Sequence, residues 1–197
     1  MKRRCNWVGN NDLMIAYHDQ EWGVPVHDDR KLFEFFVLDA FQAGLSWQIV
    51  LNKRENFRKA FEDYQIEKIA LYDENKFNEL ITNKDIIRNK LKINATINNA
   101  QRFMEIQKEF GSFDKYIWQF VEGKTIQNKW KELSQIPTKT KESDEMSKDL
   151  KKRGFKFVGS TICYAFMQAA GMVNDHLVSC FRFKELATET QRTQRKN

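Results

Sequence analysis

Two pairs of metal-binding residue types stand at opposite ends of the 197-residue chain: Cys5 with His18, and His176 with Cys180 in an H-x-x-x-C spacing. On a helix, four residues place the second pair's side chains on one face, one turn apart. With the first pair they offer two thiolates and two imidazoles, a donor set suited to tetrahedral Zn2+. Zinc fingers are not spaced this way, so ordinary buried cysteines and polar histidines explain the four residues equally well at this point. A metal with four protein ligands has no open position for water and would be structural. The third cysteine, Cys163 in TICYAFMQAAG, reads as core.

A second signal is one acid in apolar company. On a helix starting at Asp28, positions 32, 35, 36, 39 and 43 share a face, which puts Asp39 among Leu32, Phe35, Phe36 and Ala43. Burying an ionised carboxylate costs several kcal/mol unless it finds a partner, so Asp39 either bonds a structural donor or is kept for a ligand. FQAGLSW follows at once: Gly44 permits close backbone approach, and Trp47 supplies a large flat face. Trp7, Tyr17, Trp22 and Trp47 interleave with His18, Asp19, Glu21 and Asp39. Such rings suit stacking on a planar ligand, and a cation there gains about 0.5–2 kcal/mol more. Core packing is the competing use of each ring.

The elements that must position these residues read as helices. Asp28 caps a helix through Phe41 that stops near Gly44, and Ser46 caps the next. That one carries Ile49, Val50, Leu51, Phe57, Ala60 and Phe61 inward, with Lys53, Arg54, Lys59 and Glu62 facing water. Further helices are expected over Asp73 to Thr82, Ile86 to Phe110, Ser112 to Val121, Ser143 to Arg153 and Val158 to Ala170. Glu122 to Glu142, polar and containing Pro137, reads as a long connection. Lys184 to Asn197, almost without apolar residues, reads as a disordered basic tail.

Bulk properties bound the class. With 41% hydrophobic and 13% aromatic residues the chain can fill a core, and its net charge of +6 fits either a polyanion partner or a lysine-rich surface. No apolar run approaches the ~20 residues of a membrane span, and MKRRCNWVGNND lacks the apolar stretch of a secretory signal, so a cytoplasmic protein without membrane contact is expected. Three cysteines are too few for a disulfide framework.

Read together, CNWVGNNDLMIAYHDQEWGVP, LDAFQAGLSWQIVLNKRENFRKAF, the IIRNK stretch after Asp85, MSKDLKKRGFKFVG and STICYAFMQAAGMVNDH closely resemble the DNA-3-methyladenine glycosylase I family over about residues 3 to 183. The resemblance implies an all-α helix-hairpin-helix DNA glycosylase fold. It implies one structural Zn2+ per chain on Cys5, His18, His176 and Cys180, joining the terminal segments. Residues 1–183 would form one catalytic unit of two helical lobes with the base pocket between them. The implied activity is monofunctional: hydrolysis of the N-glycosidic bond of 3-methyladenine in alkylated DNA, leaving an abasic site. The partner is double-stranded DNA with the methylated base flipped out, and a monomer is expected. Tyr17 and Trp47 map onto base-pocket residues, with Trp7 and Trp22 beside them and Asp39 as the catalytic carboxylate.

Two departures stand out. Asp39 replaces the family's usual Glu and is shorter by one methylene, about 1.5 Å. Asp85 stands where a small residue often precedes IIR. It lies near expected phosphate contacts, with Arg88, Lys90 and Lys92 to offset it. Gly44 and Leu45 are expected to fill the gap left in the duplex. Lys151, Lys152, Arg153 and Lys156 are candidate phosphate contacts or, equally, a solvated basic face. The rival reading is a zinc-stapled DNA-binding protein of the same fold whose base specificity the shorter acid has lost or altered.

Overall fold

The computed structural model describes residues 2–194, with side chains described to residue 187. Ten α-helices are described: α1 Asp12–Gln20, α2 Asp29–Gln42, α3 Trp47–Ala60, α4 Ile66–Ile69, α5 Glu74–Thr82, α6 Lys90–Phe110, α7 Phe113–Ile117, α8 Lys141–Lys152, α9 Ser160–Ala169 and α10 Phe181–Gln194. Two short parallel strands, β1 Ile126–Gln127 and β2 Val173–Asn174, pair Ile126 with Val173. None of the described helices is long and apolar enough to cross a membrane.

Short polar side chains start the helices by bonding first-turn amides that lack intrahelical partners. Asn11 accepts from Met14 N, Asp28 from Lys31 N, Asp73 from Lys76 N and Asn89 from Lys92 N. Asp29 accepts from the Phe113 and Asp114 amides and from Gln107 Nε2, which ties α2 to α6 and α7. Ser46 stands at the start of α3 without a side-chain cap bond.

Helix α2 is the centre of the molecule, buried without interruption from Leu32 to Phe41 and packed by α3, α6, α7 and α9. A 3-10 turn over Trp118–Val121 continues α7. Between α5 and α6 the chain turns through residues 83–89 as a hairpin, with Ile86 buried and Lys53 Nζ donating to the carbonyls of Lys84 and Asp85. The helix expected from Ile86 therefore begins four residues later: Ile86 is apolar because it anchors the hairpin.

Four further expectations are corrected. Ile49 is 43% exposed, since it lies beyond the stripe set by Val50, Leu51 and Phe57. Arg54 faces inward, because Glu21 and Glu34 neutralise it there. Glu122 to Glu142 is a long and largely exposed connection that is nevertheless tied to the core: it supplies β1, and Trp130 Nε1 donates to buried Asp175. The expected disordered tail is helical to Gln194. Leu186, buried beside Gly23, anchors that helix, and residues 195–197 lie outside the described residues.

Candidate active site

Helices α1, α2, α3 and α9 converge on a cavity of about 240 Å3 lined by Tyr17, Asp39, Gln42, Trp47, Ala165 and Gln168, together with Trp7, Trp22 and Ile136. Tyr17 and Trp47 lie 5.0 Å apart at a 50° tilt, and Trp7 and Trp22 meet edge-on at 5.0 Å. Flat walls of this kind favour a planar guest.

Asp39 projects from α2 into this space. It is 4% exposed, and its Oδ2 has no hydrogen-bond partner. Burial pushes its carboxyl well above the usual carboxylate range, and no cation offsets that. The Tyr17 hydroxyl is likewise pushed up, by burial first and then by Asp39. Trp47 Nε1 is a second buried group without a partner. Native proteins pair most buried polar atoms, so an orphaned acceptor and an orphaned donor on the wall of one cavity point to a polar ligand.

The surroundings fix the walls. Lys92, 6% exposed, donates to the carbonyl oxygens of Phe41 at 2.8 Å and Ala43 at 2.7 Å. These belong to the last turn of α2, so the buried ammonium secures the bend where Gly44 adopts φ 81°. Behind Trp22, Arg54 forks onto both oxygens of Glu21 at 2.7 Å and reaches Glu34 at 2.7 Å. Burial pushes the Glu34 carboxyl up, but Arg54 and Lys31 outweigh it and hold it below the usual range.

Next to the cavity, Cys5, His18, His176 and Cys180 are all buried, with one ligand atom from each lying within 4.8 Å of the others. Cys180 Sγ is 3.5 Å from both His18 Nε2 and His176 Nδ1, and Cys5 Sγ is 3.8 Å from His176 Nδ1. Tetrahedral ligands about 2.0–2.3 Å from a metal lie roughly 3.3–3.8 Å apart, so these residues fit one ion. The outer nitrogens are occupied: His18 Nδ1 bonds Asp19, itself paired with Arg4, and His176 Nε2 donates to the Trp22 carbonyl. That arrangement turns the remaining nitrogen of each ring toward the sulfurs. Bonding between the two thiols pushes Cys5 up and Cys180 down.

A family model described as methyladenine glycosylase matches residues 7–183. The chain belongs to that family. It is 49% identical over 177 residues to DNA-3-methyladenine glycosylase 1 of Escherichia coli, a match covering 90% of this chain and 95% of that one. A crystal structure of 3-methyladenine DNA glycosylase I superposes with a TM-score of 0.89 at 50% identity, covering 91% of this chain and 98% of the other. A variant of 3-methyladenine DNA glycosylase I in complex with 3-methyladenine matches at 0.88 and 34% identity, over 90% and 96% of the two chains.

Against the family frame, the structure gathers Asp39, Tyr17, Trp47, Trp7 and Trp22 at one cavity, and the four Cys and His residues at one centre. His176 and Cys180 lie on the loop after β2 and not on a helix; the turn brings them together as closely as a helical turn would. Gly44 and Leu45 are exposed on the α2–α3 turn, Arg88 and Lys90 on or beside the hairpin, and Lys156 before α9, with its backbone held by Asn99. Lys92 is spent inside the protein and cannot offset Asp85 outside it. Arg153 is held by Glu109 and Asp149. Sequence reasoning missed Gln42, Ile136, Ala165 and Gln168. Gln42 was the most readable, three residues beyond Asp39 on the same helical face.

Proposed function

We propose that the cavity at Asp39 and Trp47 receives 3-methyladenine turned out of alkylated double-stranded DNA, and that the chain is a monofunctional DNA glycosylase hydrolysing its N-glycosidic bond. The observation that carries this is the unpartnered Asp39 carboxyl on an aromatic wall, together with membership of the methyladenine glycosylase family. Methylation at N3 makes the base in DNA cationic, so it leaves without being protonated, and little acid catalysis is needed. The site has to unstack the nucleotide, at a few kcal/mol, and favour the charge distribution of bond breaking. Trp47 stacks against the base, Tyr17 and Asp39 meet its edge, Trp7 and Trp22 border it, and Asp39 ionises opposite its positive charge. The orphaned carboxyl oxygen of Asp39 supplies an acceptor for its edge. Water then attacks the oxocarbenium-like sugar, leaving an abasic site.

Leu45, 39% exposed beside Gly44, enters the gap left in the duplex, while Arg88, Lys90 and Lys156 meet phosphates. The two helical lobes are the helices on either side of this cavity within residues 1–183. Zn2+ suits the two-thiolate, two-imidazole centre; it would cross-link the terminal segments and supply no chemistry to the reaction. A pocket that had lost its function would have filled or locked Asp39, whereas the cavity is open and Oδ2 free. Incubation with methylated duplex DNA, followed by chromatography of released bases, tests the reading. Release of 3-methyladenine above a heat-killed control is expected, and its absence overturns the proposal.

A further inference from the structure

Gln168 lines the cavity from α9, one turn beyond Ala165. Its Nε2 donates to Asp175 Oδ2 at 2.8 Å, on the loop following β2. Asp175 is 1% exposed and heavily used: Tyr164 Oη reaches Oδ2 at 2.6 Å, and Asn128 Nδ2 and Trp130 Nε1 each reach Oδ1 at 2.7 Å. A carboxylate only accepts, so the Gln168 amide has one way round: its NH2 faces Asp175 and its carbonyl oxygen points away from it. The four donors come from α9 and from the connection before α8, so the orientation is set before any ligand arrives.

We propose that Gln168 is a specificity-determining residue, whose Oε1 is presented to the cavity as an acceptor because Asp175 holds the amide, and which with Asp39 selects a purine bearing an exocyclic amine over one bearing an exocyclic carbonyl. The inference rests on the base-cavity assignment made above. An amino group donates hydrogen bonds to acceptors on α2 and α9. A carbonyl oxygen in the same place faces the fixed Gln168 acceptor on α9, which cannot donate to it, and that side of its lone pairs stays unpaired, which a buried site penalises. Asp175 touches no substrate and is a positioning residue.

Titration of the full chain with free 3-methyladenine and with 3-methylhypoxanthine, followed by tryptophan fluorescence, tests this. Gln168→Leu is expected to weaken 3-methyladenine roughly tenfold, the worth of one hydrogen bond, and to leave 3-methylhypoxanthine unchanged. Asp175→Asn frees the amide to turn, so the oxo base should gain and the affinity ratio narrow. Equal losses for both bases, or a ratio unchanged from wild type in Gln168→Leu, overturn the inference while leaving the glycosylase reading intact. Wild-type protein that binds neither base and releases none from methylated DNA overturns both. Should Asp175→Asn fail to fold, Gln168→Leu, a substitution in the cavity wall, decides alone.

Discussion

Replacing Asp39 with Asn keeps the side chain's shape and removes its charge, and activity and stability should then move in opposite directions. The Asp39 carboxyl is buried, has no cation beside it and faces only the uncharged titratable groups of Tyr17 and Cys163, whose thiol burial pushes up to about 12. Opposite a cationic base, an ionised carboxylate adds a charge-assisted interaction of about 1.5–3 kcal/mol. Losing it should lower kcat/KM roughly 10- to 150-fold at 1.36 kcal/mol per decade. Stability responds with the reverse sign. An acid whose pKa is raised by folding binds a proton when folded that the unfolded chain has released. Wild-type stability is therefore fully present below the unfolded value of ~3.9 and is lost, at ~1.4 kcal/mol per pH unit, as pH rises toward the folded value. Asn abolishes that slope, so the variant's advantage in thermal unfolding should grow with pH by roughly 3–6 °C per unit. Base release from methylated DNA should likewise rise with pH on its acid limb in wild type and lose that limb in the variant. Wild-type kcat/KM in Asp39→Asn, or a melting difference flat between pH 5 and 8, would refute the account.

Other perturbations separate the roles of neighbouring residues. Lys92→Met strands the Phe41 and Ala43 carbonyls, so a loss of about 2–3 kcal/mol is expected, readable as a midpoint shift in urea. Leu45→Ala should lower base release from duplex DNA while leaving the affinity for free 3-methyladenine unchanged; an equal loss in both would place Leu45 in base binding. Arg88→Ala and Lys90→Ala should each weaken DNA binding regardless of sequence and reduce the salt dependence by about 0.9 in log–log slope, measured by anisotropy across salt concentrations. Elemental analysis should find about one zinc per chain, and Cys180→Ser should both remove it and lower the melting temperature, since metal affinity is folding energy. A metal-free chain of unchanged stability would contradict the zinc assignment.

What could be read in advance depended on whether a residue's partner lies nearby in sequence. The Asp28 cap and the apolar company of Asp39 on α2 are fixed by nearby residues, and periodicity exposed them, whereas the lack of a partner for its carboxyl could be read only from the structure. Where a distant partner decides, the same rules pointed the wrong way. Polarity marked Arg54 and Lys92 as outward, yet each finds its hydrogen-bond partners inside, Arg54 on the Glu34 carboxylate 20 residues away and Lys92 on the Phe41 carbonyl 51 residues away. The polar stretch from Glu122 looked like slack chain, although it delivers Ile136 to the cavity and Trp130 to Asp175. Lys92 makes the physical reason plain. Asn89 starts α6 so that residue 92 bonds the cap through its amide, and the register of α6 against α2 then aims its ammonium at open carbonyls. A charge count sees a lysine near the hairpin proposed to meet DNA. Only the packing angle of two helices decides that this lysine holds the α2–α3 turn from within, while Arg88 on the hairpin and Lys90 at the start of α6 stay exposed.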